Sequence, residues 1–387
     1  MAAGVRQSPI YLDYNATTPV LPEVRDALLP FLSPHFGNPS SDHPYGRAAA
    51  EAVARAREQV AALLGCAADE IVFTSGGSEA DNWALVGRIW AAGVAHPHII
   101  TTVVEHPAVL NTCRFLERHG VTVTYLPVDG TGQVDPADVR RALRPETVVV
   151  SVMHANNEVG TLQPIAEIAA ICREAGVPLH TDAAQSVGKV PTRVDDLGVD
   201  LLTIAGHKLY APKGIGALYI RRGTALEPLI HGAGHEGGRR AGTENVPWIV
   251  ALGAAAALAH ATLEREAARQ QVLRDRLHRL LVERAGDVTL NGHPTARLPN
   301  TLNVRFAGID GNALLGAVPE VAASTGSACH AGQTEPSAVL LAMGVAPDTA
   351  IGAVRLSLGR LTTEDEIDRA AAALAAGAAR LRARAGV

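Results

Sequence analysis

The sequence predicts an α/β fold with a mainly parallel sheet flanked by helices, and two observations carry this prediction. From Glu70 onward, apolar runs of strand length alternate with runs that have the spacing of helices. Each apolar run also leads into a cluster of polar residues. Ligands of parallel sheets bind at the carboxyl ends of the strands, so we expect these polar clusters to form one site.

The elements can be followed in order along the chain. An extended run at 10–18 precedes a helical pattern at 22–32, a loop rich in Gly, Pro, Asn and Ser at 36–47, and an alanine-rich helix at 48–64. That loop is longer than an ordinary connection, which favours a binding role. The alternation then supplies strands at IVFTS, HIITTVV, TVVVSVM, VPLHTD, DLLTI and GALYI.

A second lobe is predicted beyond Gly242, because 387 residues exceed the size at which one core usually stops growing. The stretch 245–285 is almost unbroken helix-forming sequence and is interpreted as the bridge into this lobe. The lobe contains strands at TLNVRF and AVRLSL and a final helix, with Thr363 as its N-cap and Glu366 completing a capping box. The predicted domains are a large one of residues 16–255 and a small α+β one of residues 1–15 and 256–387.

Composition and charge argue against several classes of protein. A hydrophobic content of 47% with 19% charged residues is typical of a soluble, well-packed protein. A net charge of −5 gives no reason to expect a nucleic-acid surface. No apolar run is expected to reach the roughly 18 residues of a membrane span, and the N-terminus lacks the apolar core of a signal peptide. We therefore predict a cytoplasmic protein without membrane contact.

The cysteines do not indicate a metal site. Cys66, Cys113, Cys172 and Cys329 are far apart, and no CxxC or Cys/His ligand spacing is present. The first three are interpreted as small hydrophobic residues at or within helices. Cys329 stands in the small, polar, glycine-bearing segment SACHAG, which predicts a reachable thiol on a loop; the alternative is an ordinary cysteine at a strand end.

Lys208 lies where two predicted strands meet, in the segment TIAGHKLYAPKGIGALYI. A lysine among apolar neighbours loses hydration, which disfavours its charged form and leaves an amine able to form a Schiff base. Taken alone, a surface lysine in a glycine-rich hairpin is the more common explanation. The polar clusters at the other strand ends decide between the two.

A glycine-rich turn between a strand and a helix contains Gly77 and Ser78. Glycine lets the backbone approach an anion, and the free N–H groups of a helix N-terminus can then bind phosphate. The alternative is a simple helix cap by Ser78.

Three further strand ends carry residues suited to a pyridine cofactor. Asp182 is a carboxylate that needs a cationic partner, and a protonated pyridine nitrogen would supply one. Together with Lys208 it suggests pyridoxal phosphate. His106 could stack on the cofactor ring and move protons, and Asn157 offers an amide for a substrate carboxylate or the ring oxygen. Each of these residues alone has an ordinary structural explanation, such as a strand-end cap for Asp182.

Eight segments, in order and spacing, resemble the cysteine desulfurases of the NifS and IscS class, within the class-V aminotransferases. They are IVFTSGGSEADN, EHPAVL, ANNEVGTLQP, HTDAAQSVGK, GHKLYAPKGIGALYI, RRAGTENV, STGSACHAGQTEPSAVL and AVRLSLGR. The resemblance runs from about Tyr11 to Asp368. It implies a fold-type I, aminotransferase-like homodimer with a seven-stranded sheet and pyridoxal 5'-phosphate bound to Lys208.

The resemblance also implies roles for individual residues around the cofactor. Asp182 would hold the pyridine nitrogen, His106 would stack on the ring, and Gln185 would bond the ring oxygen. The phosphate would be held by further residues, one of which would reach it from the neighbouring subunit. Those residues are Gly77, Ser78 and His207, with Thr243 acting across the dimer.

The implied reaction releases sulfur from L-cysteine. Asn157 and Arg355 would bind the substrate carboxylate, for which the planar fork of arginine is suited. Lys208, helped by His106, would remove the Cα proton, and a thiolate at Cys329 would take the substrate sulfur as a persulfide. The products would be L-alanine and sulfur for an acceptor protein.

Two departures from the family pattern leave alternatives open. Ala205 stands where the desulfurases usually have a serine, which removes one hydroxyl donor to the phosphate; Ser78 replaces a threonine and keeps its hydroxyl. The segments YNATTP, NPSSDHPYGR, DLGVDLLTI and ACH also resemble selenocysteine lyases of animals, so L-selenocysteine is an alternative substrate. An aminotransferase and a non-catalytic assembly partner that retains the fold are the remaining alternatives.

Overall fold

The computed structural model describes residues 8–326 and 335–385. Its strands are β1 (Ile10–Tyr11), β2 (Ile71–Thr74), β3 (His98–Thr102), β4 (Thr122–Leu126), β5 (Thr147–Ser151), β6 (Leu179–Asp182), β7 (Leu201–Ala205), β8 (Gly216–Ile220), β9 (Val288–Asn291), β10 (Thr301–Phe306), β11 (Val321–Ala322) and β12 (Ala353–Ser357). Its α-helices are α1 (Pro22–Leu28), α2 (Pro44–Leu64), α3 (Gly77–Ala92), α4 (Pro107–Glu117), α5 (Pro136–Ala142), α6 (Ile165–Ala175), α7 (Val194–Leu197), α8 (Val246–Ala285), α9 (Gly311–Ala317), α10 (Ala338–Ala342), α11 (Pro347–Ala350) and α12 (Glu364–Ala385).

The central sheet has seven strands in the order β2-β8-β7-β6-β5-β3-β4. All neighbouring pairs are parallel except those of β8, which runs antiparallel to both β2 and β7. Strands β2, β3, β5, β6, β7 and β8 are buried along their whole length, as expected for a sheet covered on both faces. The predicted α/β fold with a mainly parallel, seven-stranded sheet is confirmed.

Helix α2 begins four residues earlier than predicted, so the loop expected at 36–47 is shorter. Pro44 occupies the first turn, where its missing N–H costs nothing, and Nδ1 of His43 accepts a hydrogen bond from the Gly46 amide at 3.2 Å. The other end is as predicted, because Gly65 closes the helix in the left-handed conformation at φ 69°.

The chain beyond α8 forms a second, antiparallel sheet in the order β12-β10-β9. The predicted capping box of α12 is confirmed: the Glu366 amide donates to Oγ1 of Thr363 at 3.2 Å, and the Thr363 amide donates to the Glu366 carboxylate at 2.9 Å. Ile10 and Leu12 from the N-terminus pack in the apolar core of this second sheet. The boundaries 16–255 and 1–15 with 256–387 stay a prediction.

Helix α8 connects the two cores. Ala251 and Leu252 pack in the core of the large sheet, whereas Leu277 and Leu281 pack in the core of the small one. It is the one described helix that is long and apolar enough to cross a membrane, so the expectation that no apolar run reaches that length is wrong. In the 18-residue apolar stretch of this helix, 44% of the residues are buried within the protein. The helix packs along α2, α1 and α12.

A buried ion pair joins α2 to the segment beyond β8. Arg57 donates two hydrogen bonds to the carboxylate of Glu236, at 2.6 and 2.9 Å, and the Phe73 amide of β2 donates to the same carboxylate at 3.1 Å. The Glu236 side chain is only 3% exposed. Removing the cation would leave a buried carboxylate without its partner.

We therefore expect Arg57→Ala to lower the free energy of unfolding by about 3–5 kcal/mol, measured by urea denaturation followed by circular dichroism. The matched control is Arg140→Ala, which breaks the exposed pair between Arg140 and Glu174 and should cost less than about 1 kcal/mol. Equal losses in the two variants would contradict the prediction.

Candidate active site

A cavity of about 320 Å³ opens at the carboxyl ends of the central strands, between the two sheets. Its volume suits a small ligand. The structure brings nine of the eleven predicted site residues to its wall. They are Gly77, Ser78, His106, Asn157, Asp182, Gln185, His207, Lys208 and Arg355.

One end of the cavity is the N-terminus of α3. Gly76 is the N-cap, with φ 155° and no side-chain cap, so the alternative of a simple helix cap by Ser78 is wrong: Ser78 is the second residue of the helix. The first N–H groups of a helix have no partner within it, and here they lie at the cavity wall. This is the geometry that binds phosphate oxygens.

Ala205, at the end of β7, lies beside this turn and also lines the cavity. A Cβ atom added to Gly77 would approach the Ala205 Cβ to 3.2 Å, so a side chain at position 77 would crowd the turn. A methyl group donates no hydrogen bond, and the hydroxyl that the family pattern places here is absent from this wall. The groups at this end that could bind an anion are the amides at the start of α3 and the polar side chains beside them.

Lys208 follows β7 in a short 3-10 helix, Gly206–Lys208. Its Nζ donates hydrogen bonds to the backbone oxygens of Asn15 at 2.5 Å and Ala16 at 2.7 Å. The amine is therefore held at the cavity wall by the chain that follows β1. The predicted meeting of two strands is confirmed, because β7 and β8 pair antiparallel on either side of this segment.

Asp182 ends β6 and is 6% exposed. Its Oδ1 accepts a hydrogen bond from the Ala184 amide at 2.8 Å, and burial raises the pKa of the carboxyl. Among the described residues, no Lys, Arg or His nitrogen lies within 4 Å of this carboxylate. A cationic ring nitrogen bound in the cavity would supply the missing partner.

His106 is the N-cap of α4, and its Nδ1 accepts a hydrogen bond from the Ala108 amide at 3.1 Å. That bond places the ring proton of the neutral imidazole on Nε2. Burial lowers the pKa of His106; the charge of Asp182 opposes this shift and that of Lys208 adds to it. The three predicted ring-binding residues thus act on one another across the cavity.

His207 precedes the lysine and stays neutral at physiological pH. Burial, followed by the charge of Lys208, lowers its pKa to about 4. Its Nδ1 lies 3.1 Å from Oγ1 of Thr17. The imidazole can therefore offer a hydrogen bond to an anion without carrying a full charge.

Arg355, on β12, brings the small sheet to the cavity. It is 1% exposed, and its guanidinium donates to Asp13 at 2.8 Å, to the Asn157 backbone oxygen at 3.0 Å and to the Gly326 oxygen at 3.2 Å. Its Nε is buried without a hydrogen-bond partner in the described part of the chain. Asn157 also lines this wall. The planar guanidinium of Arg355 has the fork of donors that suits a carboxylate.

Sequence reasoning missed two residues here: Asn15, which lines the cavity, and Lys189, which lies behind the wall and bonds Gln185. Asn15 is 1% exposed and joins several elements: its side chain bonds Thr301 at 2.8 Å and Lys189 at 3.2 Å. The polar turn after the first extended run was visible in the sequence, but its long-range partners were not. For Lys189, the sequence offered one hint of its contact with Gln185, namely that it lies four residues further along the chain.

Two predicted residues are not placed at the cavity. Thr243 is exposed and does not line it, which leaves its predicted role at a neighbouring subunit untested. Cys329 lies outside the described residues. The flanking residues Gly326 and Ser337 are both bonded to cavity-lining side chains, Gly326 to Arg355 and Ser337 to Glu158.

Comparison with known proteins gives a consistent result. The family model "Aminotransferase class-V" matches residues 10–370. The chain is 49% identical over 361 residues to a cysteine desulfurase IscS of Dictyoglomus turgidum, covering 93% of this chain and 92% of that protein.

Two solved structures are also similar. A NifS-like protein superposes with a TM-score of 0.89 at 37% identity, over 96% of this chain and 99% of its own. SspA, solved in complex with cysteine, superposes with a TM-score of 0.80 at 39% identity, over 90% of this chain and 98% of its own. The chain belongs to the class-V aminotransferase family and, within it, to the cysteine desulfurases.

Proposed function

We propose that the protein is a pyridoxal-phosphate-dependent cysteine desulfurase that converts L-cysteine to L-alanine and holds the sulfur as a persulfide on Cys329. The observation that carries the proposal is the meeting of Lys208, Asp182 and His106 in one cavity at the strand ends. The names of the relatives support the choice of substrate, since one of them was solved with cysteine bound.

The residues present fit the cofactor. The buried, unmatched carboxylate of Asp182 would pair with the pyridine nitrogen, and Gln185 would bond the ring oxygen. The amides at the start of α3, with Ser78 and His207, would hold the phosphate. When bound to Lys208, pyridoxal phosphate supplies an electron sink for the substrate's Cα.

Two side chains, Lys208 and His106, would transfer protons. The Lys208 amine, held near the carbonyls of Asn15 and Ala16, would take the Cα proton of the substrate. His106, whose ring proton is on Nε2, would carry a second proton at the same cavity. Arg355 and Asn157 would fix the substrate carboxylate and so orient its sulfur.

The sulfur would pass to Cys329. Its thiolate would attack the substrate sulfur, so that an S–S bond forms while the Cβ–S bond breaks, and protonation of the remaining three-carbon fragment gives alanine. Gly326, directly before the segment 327–334, bonds Arg355, and Ser337, three residues after it, bonds Glu158. Both partners line the cavity, which supports delivery of Cys329 to this site. The persulfide would then serve a sulfur-acceptor protein.

Three further features complete the proposal. The protein would act as a homodimer in which Thr243 contacts the neighbouring subunit's phosphate, in keeping with its exposed position. It would work in the cytoplasm. L-Selenocysteine is the alternative substrate, because the same lysine, cysteine and cofactor would serve it.

The test is to incubate the purified, yellow protein with L-cysteine or L-selenocysteine and a thiol reductant, and to measure alanine as the common product. We expect alanine and sulfide in equal amounts from L-cysteine. Alanine from selenocysteine alone would make the protein a selenocysteine lyase. Pyridoxamine formation with a keto acid would indicate an aminotransferase, and protein without yellow cofactor would indicate a non-catalytic partner.

A further inference from the structure

Lysine is rare in this chain, and two of its three lysines meet at one residue. The sequence contains Lys189, Lys208 and Lys213 among 34 basic residues, the rest being arginine. Lys213 is exposed. Lys189 and Lys208 both bond Asn15, the first at its side-chain oxygen at 3.2 Å and the second at its backbone oxygen at 2.5 Å.

The second bond of Lys189 goes to the cavity wall. Its Nζ donates to Oε1 of Gln185 at 2.9 Å, and Nε2 of Gln185 donates to the Asn15 backbone oxygen at 2.9 Å. A side-chain amide can exchange its oxygen and nitrogen by rotating half a turn, and the two positions are nearly equal in shape. The Asn15 oxygen favours the nitrogen at one end of the amide, and the donor from Lys189 reinforces this orientation because it needs an acceptor at the other end.

The orientation matters for what Gln185 can offer a ligand. An amide nitrogen carries two N–H groups, and one of them is used by the Asn15 oxygen. Gln185 lines the cavity, so the other N–H can serve an acceptor there. With the amide reversed, the cavity would instead face a carbonyl oxygen, which repels an anionic or oxygen-bearing ligand.

We propose that Lys189 is a positioning residue that fixes the Gln185 amide with its nitrogen toward the cofactor, and this inference rests on the proposed function. Its compact amine suits the gap between Gln185 and Asn15, where a planar guanidinium would present a different set of donors. Both of its hydrogen bonds go to side-chain oxygens, and a protonated amine, which only donates, suits two acceptors. Burial, followed by the charges of Lys208 and Arg355, lowers the pKa of Lys189.

The test is a double-mutant cycle with Lys189→Met and Gln185→Ala, read out as the dissociation constant for pyridoxal phosphate. Full-length protein freed of cofactor is titrated with pyridoxal phosphate and followed by its visible absorbance. We expect Lys189→Met to weaken binding about tenfold, as for the loss of one hydrogen bond, and to shift the absorbance band. In the Gln185→Ala background the same change should alter binding less than twofold, because the two residues act as one unit.

Lys213→Met is the matched control and should bind the cofactor as the unmodified protein does. Unchanged affinity in Lys189→Met, or fully additive losses in the double variant, would overturn the inference; additivity is what a purely structural role predicts. If Lys189→Met does not fold, Lys189→Gln serves in the same cycle with the same expected coupling. Failure of the unmodified protein to bind the cofactor would instead overturn the proposed function.

Discussion

Lys208→Ala is expected to lower alanine production from L-cysteine by at least about 10³-fold and to remove the visible absorbance of the lysine-bound cofactor. The substitution removes both the amine that would join the cofactor and the base for the Cα proton. No other described lysine lies where it could replace Lys208: Lys213 is exposed, and Lys189 is held behind the wall by Gln185 and Asn15.

The structure also predicts what this variant leaves intact. Lys208 donates to the backbone oxygens of Asn15 and Ala16, which lie beside the cavity and are not part of the sheet ladders. The fold should therefore persist, and circular dichroism should match that of the unmodified protein. Lys213→Ala is the control and should retain full turnover. Substantial alanine formation by Lys208→Ala would mean that the cofactor chemistry has been assigned to the wrong residue.

The strand-end rule explains why much of the site could be predicted. Asp182 ends the buried strand β6, while His106 and Lys208 follow the buried strands β3 and β7. Parallel strands bring their carboxyl ends together whatever the details of packing. Local rules also predicted the caps at Gly65 and Thr363, because both depend on residues within one turn.

The remaining features depend on contacts between distant parts of the chain. Asn15 bonds residues far away in sequence, and nothing in its polar turn indicates that two lysines converge on it. The early start of α2 depends on His43 acting as a cap, for which histidine is not a preferred residue. The length of the apolar stretch in α8 is easily underestimated because Gly253, His260 and Thr262 interrupt its strictly apolar residues, although its mean hydropathy over 18 residues is that of a span.

The cysteines give the second large effect, because the three described thiols all lie in settings that disfavour ionisation. Cys113 and Cys172 are buried in the helices α4 and α6, and Cys66 is half-buried after α2. Burial raises the pKa of all three thiols to about 12. Such thiols are almost fully protonated at neutral pH, which makes all three poor nucleophiles.

Cys329→Ser is therefore expected to lower sulfide release from L-cysteine by at least about 10³-fold, because a hydroxyl of similar size cannot ionise near neutral pH and cannot form a persulfide. The visible absorbance should remain, and addition of L-cysteine should still change it, because Lys208, Asp182 and Arg355 are unaltered. The combined result separates loss of sulfur transfer from loss of cofactor or substrate binding.

The matched control is Cys66→Ala, which removes the least buried of the three described thiols and should retain at least half of the sulfide release. Mass spectrometry after exposure to L-cysteine should locate one added sulfur on the peptide containing Cys329 and none on that containing Cys66. Full sulfide release by Cys329→Ser would mean that sulfur leaves the substrate without a protein thiol, and the persulfide step would have to be abandoned. The cofactor assignment would survive that outcome, since it depends on Lys208 and Asp182 at the strand ends.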